Sequence, residues 1–351
     1  MGITLRRRWV RLTLSYVVAI AGVGIGAYIL VPKSSELRAI ATVINDSDTW
    51  LLFVAGALEL LSIWFYALTT RALAQQHRTN VSRRYILLVT IAASAIGNSL
   101  PLGAGVSALY AFRKLEDRSV PKKEAALAVG ATNALAVATL ALLAALTVPL
   151  GGDSVLSGAD VVVLLAVGAL SFVLVGYAHF VVGVVSYALE FLRSMPRYKV
   201  AGARRRAQER RASNLRFELS RSSIAFGSLF AFLNWLFDLL ALLLSVHIVH
   251  AKVPLFGVVA AYFVGALAAN LPITPGGLGV VEGSLAVSLI AFGGGKTSVL
   301  AAVLLYRLVS FWIWLPLGWA VHFVLSYLNH RRWKDEGRVE TSEFSAKEVW
   351  M

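Results

Sequence analysis

The chain has 351 residues, 58% hydrophobic and 15% charged, where a soluble domain is roughly half apolar and about a quarter charged. This balance predicts a polytopic protein with a single membrane domain over 12–325, and the absence of cysteine excludes disulfides, thiolate metal sites and cysteine nucleophiles. The net charge of +14 reads as loop charge that sets topology rather than as a nucleic-acid surface.

At the N-terminus, Arg6, Arg7, Arg8 and Trp9 precede an apolar run over 12–31. That run is too long for a signal peptide and no small-x-small cleavage site follows it, so it is read as a retained span. Further runs of spanning length fall at 49–69, 124–150, 161–188, 222–247 and 299–325, making six spans. Two other apolar segments, 85–112 and 254–292, are interrupted in the middle. The first interruption is Asn98-Ser-Leu-Pro-Leu-Gly-Ala-Gly105, and the second runs from Asn270 through Pro272 and Pro275 to Gly283.

Lys and Arg concentrate in alternate loops: four in 1–11, four in 70–84, five in 113–123, ten in 193–221 and five after 328, or 28 of 33. Positive loops mark the cytoplasmic side, which puts both termini, the basic loop 190–221 and the tail 327–351 in the cytoplasm of a cell-membrane protein. Each interrupted segment then leaves on the side it entered. The piece from 106 to 112 is too short to cross, so 85–112 is expected to be a re-entrant hairpin from the cytoplasm. Segment 254–292 reads as either the matching hairpin from outside or two short crossings. The fold class expected is therefore all-α, with six full spans and two broken hairpins. Span, span, hairpin, span recurs over 12–150 and 161–325 with opposite starting sides, the pattern of an inverted-topology repeat whose broken segments meet at a midplane site.

Irregular backbone at membrane depth survives only where protein or a wet cavity receives its polar groups. Pro101, Pro272 and Pro275 stop the incoming helices, while Gly103, Gly105, Gly276, Gly277 and Gly279 permit tight backbone paths. The outgoing short helices are expected to begin near Val106 and Val280, with free amides able to hold an anion. Asn98 and Asn270 open the two breaks and join the candidate binding set.

Four charged residues lie at membrane depth: Glu59, Asp238, Glu282 and Arg307. Burial of such groups in lipid is costly and marks function or a structural ion pair. Arg307 is expected to receive a phosphate. Glu59, Asp238 or Glu282 would favour a cationic headgroup or carry a coupling proton, and Glu282 also suits the first turn of a helix on electrostatic grounds alone. Asn98, Asn133, Asn234 and Asn270 are each candidates for ligand binding, with inter-helix hydrogen bonding the role expected of most of them. The stretch Gly295-Lys296-Thr297 lacks the earlier glycine and strand of a phosphate-binding loop, and no HExxH or GxSxG occurs. No catalytic residue, metal or cofactor is expected.

The stretch from Leu271 to Gly283, the stretch Tyr306-Arg-Leu-Val-Ser-Phe-Trp312 with Pro316, and Asn98 to Gly105 followed by Ala108-Leu-Tyr110 resemble the lysylphosphatidylglycerol synthase transmembrane-region family. The resemblance covers about 12–325. In bifunctional members the membrane region is associated with moving aminoacylated phosphatidylglycerol between leaflets, and a separate cytoplasmic domain makes that lipid. The resemblance implies a flippase-like part without the synthase part, with membrane phospholipids as partners. It leaves a homo-oligomer or a separate lipid-synthesising enzyme as possible associates, and no nucleic acid. The rival readings are a membrane-embedded transferase or carrier for polyprenyl-linked substrates, an ion-coupled small-solute transporter and a non-transporting partner subunit.

Overall fold

The computed structural model describes residues 50–74, 81–100, 103–147, 220–270 and 274–335, and these contain helices and no strand. The expected spans 12–31 and 161–188, most of the basic loop 190–221, most of the tail, Pro101 and Pro272 lie outside the described residues. The helices are α1 (Trp50–Ala74), α2 (Arg83–Asn98), α3 (Gly103–Glu116), α4 (Lys122–Thr147), α5 (Arg221–Ile248), α6 (Leu255–Ala269), α7 (Val280–Ala291), α8 (Lys296–Arg307) and α9 (Trp314–Asp335). A 3-10 turn, Pro275–Gly277, precedes α7, and a π-helical turn, Leu308–Trp312, joins α8 to α9.

Four stretches are long and apolar enough to cross a membrane: Trp50–Ala74, Glu124–Ala145, Arg221–Ile248 and Lys296–Asn329. They answer the expected spans 49–69, 124–150, 222–247 and 299–325. Large apolar side chains such as Phe53, Leu142, Phe226 and Val287 face outward, as they do where the surrounding solvent is hydrocarbon. This is a multi-pass membrane protein.

Local sequence explains the helix ends. Ser82 starts α2 by accepting from the Tyr85 amide at 3.2 Å, and Ser220 starts α5 by accepting from Ser223 at 3.4 Å. The α2 helix stops at Asn98, where the Ser99 hydroxyl turns back to the Ala95 carbonyl at 2.7 Å. The α6 helix stops at Ala269, where the Asn270 amide donates to the Ala266 carbonyl at 2.8 Å. Both interruptions therefore exist as breaks between short helices, and the arms of each pair pack on one another.

One boundary differs from expectation. The helix after the first break begins at Gly103, three residues before Val106. The cause is a close approach: Gly103 lies against Gly97 so tightly that a Cβ on Gly103 would overlap the Gly97 carbonyl. Starting the helix at the contact lets the arms meet backbone to backbone.

The packing partners follow one pattern in the stretches 50–147 and 220–335. At the centre α1 runs along α5, with Phe65 stacked on Phe237 at 5.4 Å between ring centroids. On either side, α4 packs against α6, and α9 packs against α2. Two apolar cores result. One gathers Leu242, Tyr262, Leu285, Leu289 and Leu305, and the other Leu73, Ile86, Val89, Leu115 and Ala125.

The Gly97–Gly103 contact makes a stability prediction. Gly103→Ala is expected to push the arms apart and cost about 1–3 kcal/mol, read as a lower thermal midpoint of the purified protein. Gly130→Ala, inside α4 where a Cβ meets nothing within 4 Å, is expected to leave the midpoint unchanged or raise it slightly, since alanine is the better helix former.

Candidate functional site

The second break is built around left-handed backbone. Gly276, Gly277 and Gly279 have φ of 58°, 69° and 82°, a region that other residues enter only with strain. A Cβ on Gly276 would overlap the Phe311 ring and lie 3.1 Å from the Asn98 carbonyl oxygen. The two interruptions thus touch: the 3-10 turn of the second rests on the end of α2 at the first. Thr274 closes the loop from within, its hydroxyl donating to the Leu278 carbonyl at 2.9 Å.

Arg307, at the end of α8, is 6% exposed. Its Nε donates to Glu282 Oε1 at 2.7 Å and its Nη2 to the Gly276 carbonyl at 2.9 Å. The guanidinium also sits over the Phe311 ring, 4.3 Å from the centroid, a cation–π contact. The other carboxylate oxygen of Glu282, Oε2, accepts from the Gly279 amide at 2.6 Å. Glu282 therefore pairs with the guanidinium through one oxygen and accepts from the amide that opens α7 through the other.

Glu59 and Asp238 come together where α1 crosses α5. Ser62 and Asn234 bridge the same interface, Asn234 Nδ2 donating to Ser62 Oγ at 3.3 Å. One turn along, the buried Glu59 carboxyl lies beside that of Asp238. Asp238 accepts a hydrogen bond on each oxygen, from Tyr306 Oη at 2.7 Å and from Tyr262 Oη at 2.9 Å. Glu59 Oε2 has no hydrogen-bond partner. Tyr306 and Arg307 are neighbours in sequence, so α8 joins the acid pair to the break.

Of the sequence-derived set, Asn98, Gly276, Gly277, Gly279, Glu282 and Arg307 converge at the second break, with Pro275 opening its 3-10 turn. Asn270 closes α6 with its own side chain. Gly103 serves the contact between α2 and α3, and Gly105 lies in the first turn of α3. Asn133 does link helices: its amide donates to the Val129 carbonyl at 2.9 Å, and its carbonyl accepts from Tyr66 Oη at 3.2 Å. Sequence reasoning missed Tyr262, Tyr306 and Phe311. Tyr306 and Phe311 flank Arg307 in a quoted motif, and Tyr262 is the one hydroxyl-bearing residue of α6, which was the available signal.

The family model described as the lysylphosphatidylglycerol synthase TM region matches residues 12–318. The chain belongs to this family. Comparison with the curated proteins gives no match. Family membership fits the geometry: the match takes in both breaks, the acid pair and Arg307, and ends shortly after Pro316.

The Arg307–Glu282 pair predicts a strong asymmetry between single and double substitutions. Arg307→Met leaves Glu282 without its cation and is expected to cost about 3–5 kcal/mol. Arg307→Met combined with Glu282→Leu is expected to recover part of that loss in a thermal-melting double-mutant cycle.

Proposed function

We propose that this protein moves a phospholipid, or an aminoacyl-phospholipid, between the leaflets of the cell membrane. The headgroup passes the polar centre while the acyl chains stay in the bilayer. In this reading both termini are cytoplasmic, and the two interrupted segments are re-entrant hairpins in inverted repeats over 12–150 and 161–325. The correspondence of packing partners between the halves supports the repeat, and the contact of the two breaks supports a shared site.

The observation that carries the reading is the buried Arg307, held against a broken backbone by a carboxylate and a carbonyl. A phosphodiester resembles the Glu282 carboxylate in what it asks of its surroundings: two anionic oxygens accepting from a guanidinium and from amide N–H groups. Exchange of the lipid phosphate for Glu282 lets the headgroup enter hydrocarbon depth without leaving Arg307 unpaired. The Gly276 carbonyl keeps the guanidinium in place during the exchange. No covalent bond changes in this cycle, so it calls on no catalytic group or cofactor. Membership of a membrane-domain family named for a lipid synthase supports a lipid-related role.

Reconstitution in proteoliposomes with fluorescent phosphatidylglycerol tests the reading. Wild-type protein is expected to speed exchange between leaflets. Arg307→Ala is expected to slow it about ten- to a hundredfold, as the loss of a hydrogen bond to a charged group worth ~1.5–3 kcal/mol implies. Equal rates for the two proteins would remove Arg307 from the path.

A further inference from the structure

Among the described residues, the polar centre holds three carboxyls, Glu59, Asp238 and Glu282, and one guanidinium, Arg307. The guanidinium is bonded to Glu282 and to the Gly276 carbonyl. Glu59, which is buried, and Asp238, which is half-buried, are thus left side by side with no cation bonded to either. Two ionised carboxylates in contact repel strongly in a low-dielectric interior, and such pairs characteristically hold a single proton between them.

The groups around the pair favour that arrangement. Tyr262 from α6 and Tyr306 from α8 each direct a hydroxyl hydrogen at one oxygen of Asp238. Ser62 and Asn234 are occupied with one another on α1 and α5, and Tyr66, two turns along α1, is bonded to Asn133 on α4. Among the described residues, the cation that acts electrostatically on the pair is Arg307 on α8, with Glu282 of α7 as its direct partner. Glu59 is 6% exposed and its Oε2 is without a partner. An alkali ion needs several oxygens turned to it together, whereas both Asp238 oxygens here are taken up by hydroxyl donors. A proton needs only one open oxygen.

We propose that the Glu59–Asp238 pair is the proton-coupling site of the transport cycle, loading one proton from one side of the membrane and releasing it to the other with each headgroup transferred. The inference rests on the lipid-translocation reading above. The proton enters from water, resides as an O–H on one carboxyl that donates to the other, and leaves to water, so no other bond changes. Tyr306 and Arg307 are consecutive on α8. Displacement of Glu282 from Arg307 by a phosphate is therefore felt directly at the hydroxyl that supports Asp238, which links loading of the pair to occupation of the break.

Two measurements on the full chain test this separately. The first is infrared difference spectroscopy of the purified protein during a pH change, which reads the carbonyl stretch of a protonated carboxylic acid. Wild-type protein is expected to show the band, Glu59→Gln and Asp238→Asn to lose it, and Tyr262→Phe, which keeps both acids, to shift the pH at which it appears. The second is leaflet distribution of fluorescent phosphatidylglycerol in proteoliposomes under an imposed pH difference. One proton per lipid is expected to give an about tenfold asymmetry for each pH unit, with no asymmetry in Glu59→Gln and a retained response in Glu59→Asp. Absence of the acid band, lipid movement that ignores the pH difference, or a requirement for sodium or potassium would overturn the proposal. An acid band accompanied by no lipid movement under any condition would overturn the lipid reading and the coupling with it, while leaving a proton on the pair.

Discussion

A backbone broken among packed apolar helices must find partners for the groups its helices no longer satisfy, and the arrangement around Arg307 follows from that demand. At the second break, Asn270 takes the Ala266 carbonyl, Thr274 the Leu278 carbonyl, Glu282 the Gly279 amide and Arg307 the Gly276 carbonyl. Each side chain answers a defined orphan of the chain. Arg307 and Glu282 also cancel each other's charge, so the repair adds no net charge to the interior.

The same demand explains why the final helical rod matters to the whole assembly. It runs from α8 through the π turn into α9 and reaches both breaks. Arg307 and Phe311 meet Gly276 of the second, and Trp319 donates its indole N–H to Ser99 Oγ of the first at 3.0 Å. Further along, His322 Nδ1 lies 3.1 Å from Tyr110 Oη on α3. Gly318 allows the rod to lie close to α2, since a Cβ there would overlap Ala95. One element thus ties together two helix pairs, α2 with α3 and α6 with α7, that are distant in sequence.

Much of this was legible in the residues. Proline and glycine clusters after Asn98 and Asn270 marked both breaks, because they act locally through lost donors and permitted angles. The four charges Glu59, Asp238, Glu282 and Arg307 stood out because each interrupts a long apolar run of the sequence. The start of α7 at Val280 was also readable, whereas the start of α3 was not, since Gly103 is set by contact with Gly97 across the hairpin. Partner choice was the hidden part. Glu282 meets Arg307 and Glu59 meets Asp238 through helix crossings, and hydropathy along a chain carries no record of which faces cross. Tyr262 and Tyr306 escaped for the same reason: a tyrosine among aliphatics reads as core until the carboxylate beneath its hydroxyl is seen.

The π turn at Leu308–Trp312 has a geometric consequence of its own. Its wider hydrogen-bond ring, closed by the Ile313 amide on the Leu308 carbonyl at 3.1 Å, accommodates one more residue than an ordinary turn, and Pro316 just beyond cannot donate to the carbonyl four residues back. An extra residue rotates everything downstream by about 100° relative to an unbroken α-helix. That phase change lets the rod show Tyr306 and Arg307 to the charged interior over its first stretch and Gly318 and Trp319 to the opposite hairpin over its second. A uniform helix of the same length would have to place one of those two sets on the wrong bearing.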